Sequence, residues 1–153
     1  MDRNLIVFYT RTGISKKVAQ KLCARLGCEV DEIYDNDNRK GVVGFISAGK
    51  EALNKHIGTI QGDYHNPERY EHIIFITPIW ASVSATPIRS YWKKYKYDIN
   101  HYSIITTSGS SEADDVIKEA EQVIGKPPAK TQSIFKKHIK SNSYALDDFN
   151  IIL

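Results

Sequence analysis

Sulfur is nearly missing from this 153-residue chain, which has two cysteines and one methionine. Two cysteines cannot supply the disulfide framework that staples small secreted domains. Cys23 and Cys28 lie in a helix-like stretch at a spacing that matches neither a CxxC motif nor a zinc pattern. A reduced, cytoplasmic compartment is the expectation. Long apolar runs are missing too: no stretch approaches the roughly 20 residues a membrane-spanning helix needs, so no membrane insertion is expected. The opening MDRNLIVFY carries an acid and turns straight into a strand-like run, unlike a secretory signal. No charge of one sign dominates. Lys and Arg number 21 against 18 Asp and Glu, a formal +3, which is too little to imply nucleic acid as a partner. What remains, 41% hydrophobic and 25% charged residues, excludes disordered and fibrous classes. At this length one domain over residues 1–153 is expected.

Strand-like runs alternate with helix-like periodicity. Leu5 to Tyr9 is a continuous apolar run, the mark of a strand buried on both faces. The loop Thr10-Arg11-Thr12-Gly13 follows, then a helix with Ile14, Val18, Leu22 and Leu26 on one side and Gly27 as its stop. Residues 29–34 alternate as an edge strand does. After the turn cluster at 35–38, a helix is expected around 41–57, weakened by Gly44 and Gly49. Ile73 to Ile76 reads as a second buried strand, ended by Pro78, and a helix from Thr86 to Tyr97 has Thr86 as N-cap and Pro87 at its first position. Tyr102 to Thr107 reads as a strand and 112–124 as a helix with acids in its first turn. A strand around 131–138 and a last helix around 144–152 complete five strands and five helices. This alternation predicts an α/β fold, a doubly wound parallel sheet with helices on both faces.

Ligands of such sheets bind beyond the carboxyl ends of the strands. The loops there are Thr10–Ser15, Pro78–Ser84 and Thr107–Glu112, and none holds a carboxylate pair, a histidine cluster or a nucleophile beside a base. The first places the hydroxyls of Thr10, Thr12 and Ser15, with Arg11, around a glycine at a helix N-terminus. Unpaired N–H groups and the helix dipole favour an anion there, and a phosphomonoester is the natural guest because no magnesium ligand is present. Helix capping alone would need one hydroxyl rather than three. Other phosphate motifs fail. No GxGxxG follows the first strand. Gly44 to Glu51 imitates GxxxxGK[ST] but puts Glu51 where a magnesium-binding hydroxyl belongs, with no strand before it. A phospho-acceptor receiver domain would need acids where Thr10 and Thr77 stand.

The stretch Ile6 to Ala19, with Thr10-Arg11-Thr12-Gly13-Ile14-Ser15 at its centre, resembles the flavodoxin signature, with Ser15 replacing the usual threonine. Phe75-Ile76-Thr77-Pro78-Ile79-Trp80, followed by Thr86-Pro87, is similar to the second flavin-contacting loop of that family, and Thr106–Ser111 falls where its third loop lies. The resemblance spans essentially the whole chain. It implies a flavodoxin-like five-stranded parallel sheet of order 2-1-3-4-5 that holds FMN noncovalently. On that pattern Thr10, Arg11, Thr12, Gly13, Ile14 and Ser15 would hold the phosphate. Pro78, Ile79, Trp80, Ala81, Ser82 and Val83 would lie along the ring, with Trp80 its aromatic neighbour. Thr107, Ser108, Gly109 and Ser110 would close the other side. Trp92, Tyr91, Tyr95 and Tyr97 read as packing or helix surface.

The resemblance further implies electron transfer with a redox partner protein or a small-molecule electron donor or acceptor. The chain departs from the family's carriers in two ways. Those carriers turn a peptide of the second loop at a glycine, and residues 78 to 86 contain none, so that turn is expected to cost more here. They are also strongly acidic, whereas this chain is +3, with five lysines and no acid in residues 126–140. A less negative second reduction potential is the expectation. The alternatives are an FMN-dependent quinone or NAD(P)H-linked reductase, more remotely one like menaquinone-dependent protoporphyrinogen oxidase, or a flavin-free regulatory or binding module on the same fold.

Overall fold

The computed structural model describes residues 2–35, 60–61, 64–81 and 83–150. The helix expected around 41–57, with its phosphate-motif look-alike at 44–51, lies outside them. Strand β1 (Asp2–Phe8) leads into helix α1 (Ile14–Leu26), then β2 (Glu29–Glu32) and the short β3 (Tyr34–Asp35). After β4 (Ile60–Gln61) and a 3-10 turn at Pro67–Arg69 come β5 (Tyr70–Trp80), β6 (Val83–Ser84) and α2 (Thr86–Tyr95). Strand β7 (His101–Ser108), α3 (Asp114–Ile124), β8 (Thr131–Phe135) and α4 (Lys136–Lys140) follow.

The five long strands form a parallel sheet in the order β2-β1-β5-β7-β8, as expected. Two antiparallel additions break the strict alternation: β6 folds back on β5, and β3 pairs with β4. The strand pleat sends successive residues to opposite faces. Leu5, Val7, Ile73 and Phe75 therefore meet Ile88, Trp92 and Val116 of α2 and α3 on one side. Ile6, Phe8, Ile74 and Ile76 meet Val18 and Leu22 of α1 and Ile139 of α4 on the other. Tyr91 and Trp92 are fully buried packing residues, while Tyr97 is on the surface.

Several boundaries differ from expectation, α2 among them in ending at Tyr95 rather than Tyr97. Pro78 does not end β5, which continues to Trp80 because β6 offers Ile79 and Trp80 a new partner. Helix α2 starts at Thr86 with Ala85, not Thr86, as its N-cap. Strand β8 stops at Phe135, where α4 begins. The helix expected at 144–152 is absent from its described part, residues 144–150. Leu146 and Phe149, spaced as on a helix, are instead buried from a strap without regular secondary structure. The strap's carbonyls are taken by side chains: Lys21 Nζ donates to Tyr144 O at 2.9 Å, Arg25 Nη1 to Leu146 O at 2.7 Å and Lys130 Nζ to Asp148 O at 2.9 Å. Side chains thus satisfy carbonyls that a helical ladder would otherwise pair.

One polar group is enclosed by the sheet. His72 is fully buried, its Nδ1 at 3.2 Å from Asn4 Oδ1 and its Nε2 at 2.8 Å from Ser103 Oγ. Burial first, and then the His101 charge, push its pKa down to about 4, so the ring is neutral at pH 7. Among the described residues no helix is long and apolar enough to cross a membrane.

Candidate functional site

The first loop turns sharply at Gly13, whose φ of 89° lies in the left-handed region where a side chain would be strained. Thr10 Oγ1 accepts the Gly13 N–H at 2.9 Å and so holds the turn. No side chain caps α1. Its first i→i−4 bond runs from Lys17 N–H to Gly13 O at 3.2 Å, so the N–H groups of Ile14, Ser15 and Lys16 precede the helical ladder. Thr12 and Arg11 are exposed above them. The three hydroxyls therefore divide: Thr10 shapes the loop, Thr12 faces outward, and Ser15 is buried. Ser15 Oγ lies 2.8 Å from Thr107 Oγ1, a buried bond that joins the first loop to the third.

The second loop is a hairpin in which Ile79 faces Ser84 and Trp80 faces Val83. Its turn begins at Ala81 with φ of 48°. The missing glycine thus did not prevent a left-handed turn; an alanine adopts it at a cost of about 1–2 kcal/mol. Two anchors hold the hairpin. Thr77 Oγ1 donates to Pro78 O at 2.9 Å and accepts the Ala85 N–H at 3.2 Å. Ser84 Oγ donates to Glu119 Oε1, and Arg89 Nη1 reaches Glu119 Oε2 at 3.4 Å. Glu119, on α3, escaped the sequence reading because nothing in its local pattern sets it apart from the helix's other acids. Trp80 packs edge-on against Tyr9, with ring centroids 5.4 Å apart, and the Arg11 guanidinium stands 6.0 Å from its centroid.

These pieces enclose a cleft of about 370 Å³ lined by Thr10, Arg11, Thr12, Ile14, Ser15, Pro78, Trp80 and Thr107. All three loops named from the sequence contribute. Gly13 shapes the floor through its backbone, whereas Ile79, Ala81 and Val83 belong to the hairpin without lining the cleft. Ser108, Gly109 and Ser110 lie beyond Thr107, with Ser108 Oγ donating to Ser111 O at 3.1 Å. Ser82 lies outside the described residues. Among the described residues that line it, Arg11 is the one that is charged. No group of histidine, cysteine or acid that could hold a metal occurs among the described residues. A hydrogen-bonded acid–histidine pair, Asp31 with His65 Nδ1 at 2.6 Å, is not among the cleft's lining residues. Burial raises the Asp31 pKa and the His65 bond opposes that.

Neither a protein-family model nor a curated protein matches the sequence. Solved structures do share its fold. A flavoprotein in complex with FMN from Lactobacillus acidophilus NCFM gives a TM-score of 0.72 at 19% identity, covering 94% of this chain and 100% of that one. A flavodoxin, WrbA-like protein from Agrobacterium tumefaciens gives 0.53 at 12% identity, over 87% of this chain and 84% of that one. A flavodoxin variant from Fusobacterium nucleatum bound to flavin mononucleotide gives 0.51 at 14% identity, over 86% and 68%. Fold and cleft together define an open, doubly wound α/β protein with its candidate site at the carboxyl edge of the sheet. Within that class, the chain has the flavodoxin-like fold.

Proposed function

We propose that this chain binds FMN in the three-loop cleft and serves in electron transfer. The observation that carries the reading is one juxtaposition: an uncapped helix N-terminus behind Gly13 faces the same cleft as Trp80 and Pro78. The first end suits a phosphate dianion, through N–H groups, the Thr12 hydroxyl and Arg11. The second suits a planar aromatic ring. The cleft volume is at the lower end of the range for small-molecule sites, roughly 300–1,000 Å³. Two of the structural neighbours hold FMN, which supports the same reading.

When bound, FMN supplies one- and two-electron chemistry that no amino-acid side chain offers. The chain's part is to bind and orient. Backbone donors of Ile14, Ser15 and Lys16 hold the anion, the Ser15–Thr107 bond keeps the first and third loops in register, and Glu119 fixes the hairpin that carries Trp80. Among the described lining residues none carries a carboxyl, imidazole or thiol, so these side chains bind and orient rather than move a proton. A redox protein or a small-molecule donor or acceptor completes the exchange.

Titration of the purified protein with FMN and with riboflavin, followed by flavin fluorescence, tests the binding. FMN should saturate one site at micromolar concentration, and riboflavin should bind at least about tenfold more weakly because it lacks the dianion. Thr12→Leu should abolish FMN binding and leave the far-UV circular dichroism unchanged. No FMN uptake at micromolar concentration would sink the proposal. Steady NAD(P)H turnover with a quinone and no second protein would replace the carrier by a reductase.

A further inference from the structure

Charge is divided unevenly between the two helical layers. Helices α1 and α4, which pack together on one face of the sheet, carry four and three basic residues and no acid. The whole chain is only +3, so the remainder is net negative. The opposite layer is balanced, because α3 holds four acids and one lysine against three basic residues on α2. The positive charge also sits beside the cleft. Lys16 and Lys17 follow Ser15 directly. Phe135 pairs with Ser108, so Lys136 and Lys137 start next to the third loop.

This placement does not serve the helix that carries it. Lys16 and Lys17 occupy the first turn of α1, where the dipole favours anions; that turn holds no acid, and Glu32 of β2 pairs with Lys16. Beside them lies an apolar groove of about 510 Å³ between α1 and the edge strand β2. Phe8, Ala19, Ala24 and Val30 line it, and Lys16 and Glu32, 3.8 Å apart, also border it. An apolar centre with a charged rim is the anatomy of a protein–protein interface. A nucleic-acid surface would need the charge but not the groove.

We propose that the α1–α4 face docks an acidic protein beside the cleft. This rests on the electron-transfer reading and names the chemistry of the partner it requires: a redox protein with a carboxylate-rich face and an apolar protrusion.

The test uses a strongly acidic plant-type [2Fe–2S] ferredoxin as probe, with calorimetry on the full chain with and without FMN. Association should weaken steeply with added salt. Lys136→Glu/Lys137→Glu should weaken it about tenfold or more, and Lys93→Glu/Lys94→Glu on α2, an equal change of net charge, less than about twofold. Ala24→Gln should weaken it about threefold without changing the salt dependence. Circular dichroism confirms folding of each variant. Equal losses from the α2 and α4 pairs would overturn the proposal, since they would report net charge alone. So would no association below about 100 μM at low salt, or tighter binding of a 20-base-pair DNA duplex that is indifferent to Ala24→Gln. Ferredoxin binding without FMN uptake would leave the docking face standing and remove the flavin. FMN uptake without ferredoxin binding would do the reverse.

Discussion

Single residues carry measurable strain and charge in this molecule. Ala81 pays for a left-handed turn that a glycine adopts freely, and its side chain is exposed, so little packing is lost on removing it. Ala81→Gly should therefore raise stability by about 0.5–1 kcal/mol, the relief of φ strain less the greater freedom of the unfolded glycine, as read by urea denaturation. His72 sets a pH dependence. Its pKa of about 4 in the fold lies below the ordinary imidazole value of 6.5, so the unfolded chain takes up a proton first as the pH falls. Its contribution is complete above pH 6.5 and is lost progressively down to pH 4, by at most about 3 kcal/mol. Denaturation at pH 7.5, 6, 5 and 4 should show this loss, and His72→Gln should flatten it. At this scale the sequence was informative where a residue type has few uses: Gly13 behind a strand and before a helix marks the turn. It was silent about Ser15 with Thr107 and Ser84 with Glu119, because the partners lie 92 and 35 residues away and bond through side chains of ordinary surface type.

Among the elements, the strands were legible because their apolar runs have one physical use, burial on both faces of a parallel sheet. Boundaries and the end of the chain were less so. Leu146 and Phe149 have the spacing of a helical face, yet the strap that carries them forms no helix, and Lys21, Arg25 and Lys130 compete for its carbonyls. That competition is invisible until α1 and β8 are placed. The strap is part of the core all the same. Phe149→Ala should destabilise the fold by about 3–5 kcal/mol, the range for emptying a buried aromatic site, whereas an exposed strap would lose almost nothing. Chemical denaturation distinguishes the two. The hairpin depends likewise on α3: Glu119→Ala removes the acceptor of Ser84 and should weaken FMN binding while leaving the secondary structure intact.

Over the whole molecule, the field matters more than any one pair. The formal +3 looked featureless as a sum, but it arises from a basic helical layer, whose Lys16, Lys17, Lys136 and Lys137 lie beside the cleft, and a net negative remainder. Such a field should steer an anionic ligand. The association rate of FMN should fall several-fold between about 20 and 300 mM salt, as a steered encounter does, and that of riboflavin should stay constant. Stopped-flow fluorescence measures both. The same field should make the second reduction potential of bound FMN less negative than that of an acidic flavodoxin, which a potentiometric titration checks.

The strap at residues 144–150 has one more consequence, for hydrogen exchange. It is tied down through its oxygen acceptors, and among the described residues two of its amides donate: Asp147 N–H to Gln132 Oε1 at 3.0 Å and Asn150 N–H to Asp148 Oδ1 at 2.9 Å. Ala145 and Asp148 are exposed and their amides donate to no described residue, so deuterium should enter at these two positions quickly even while the Phe149 ring stays locked in the core. Exchange rate and packing, which usually report the same thing, come apart here. Fast exchange near the end of this chain measures the direction of its hydrogen bonds and not a loosening of the fold.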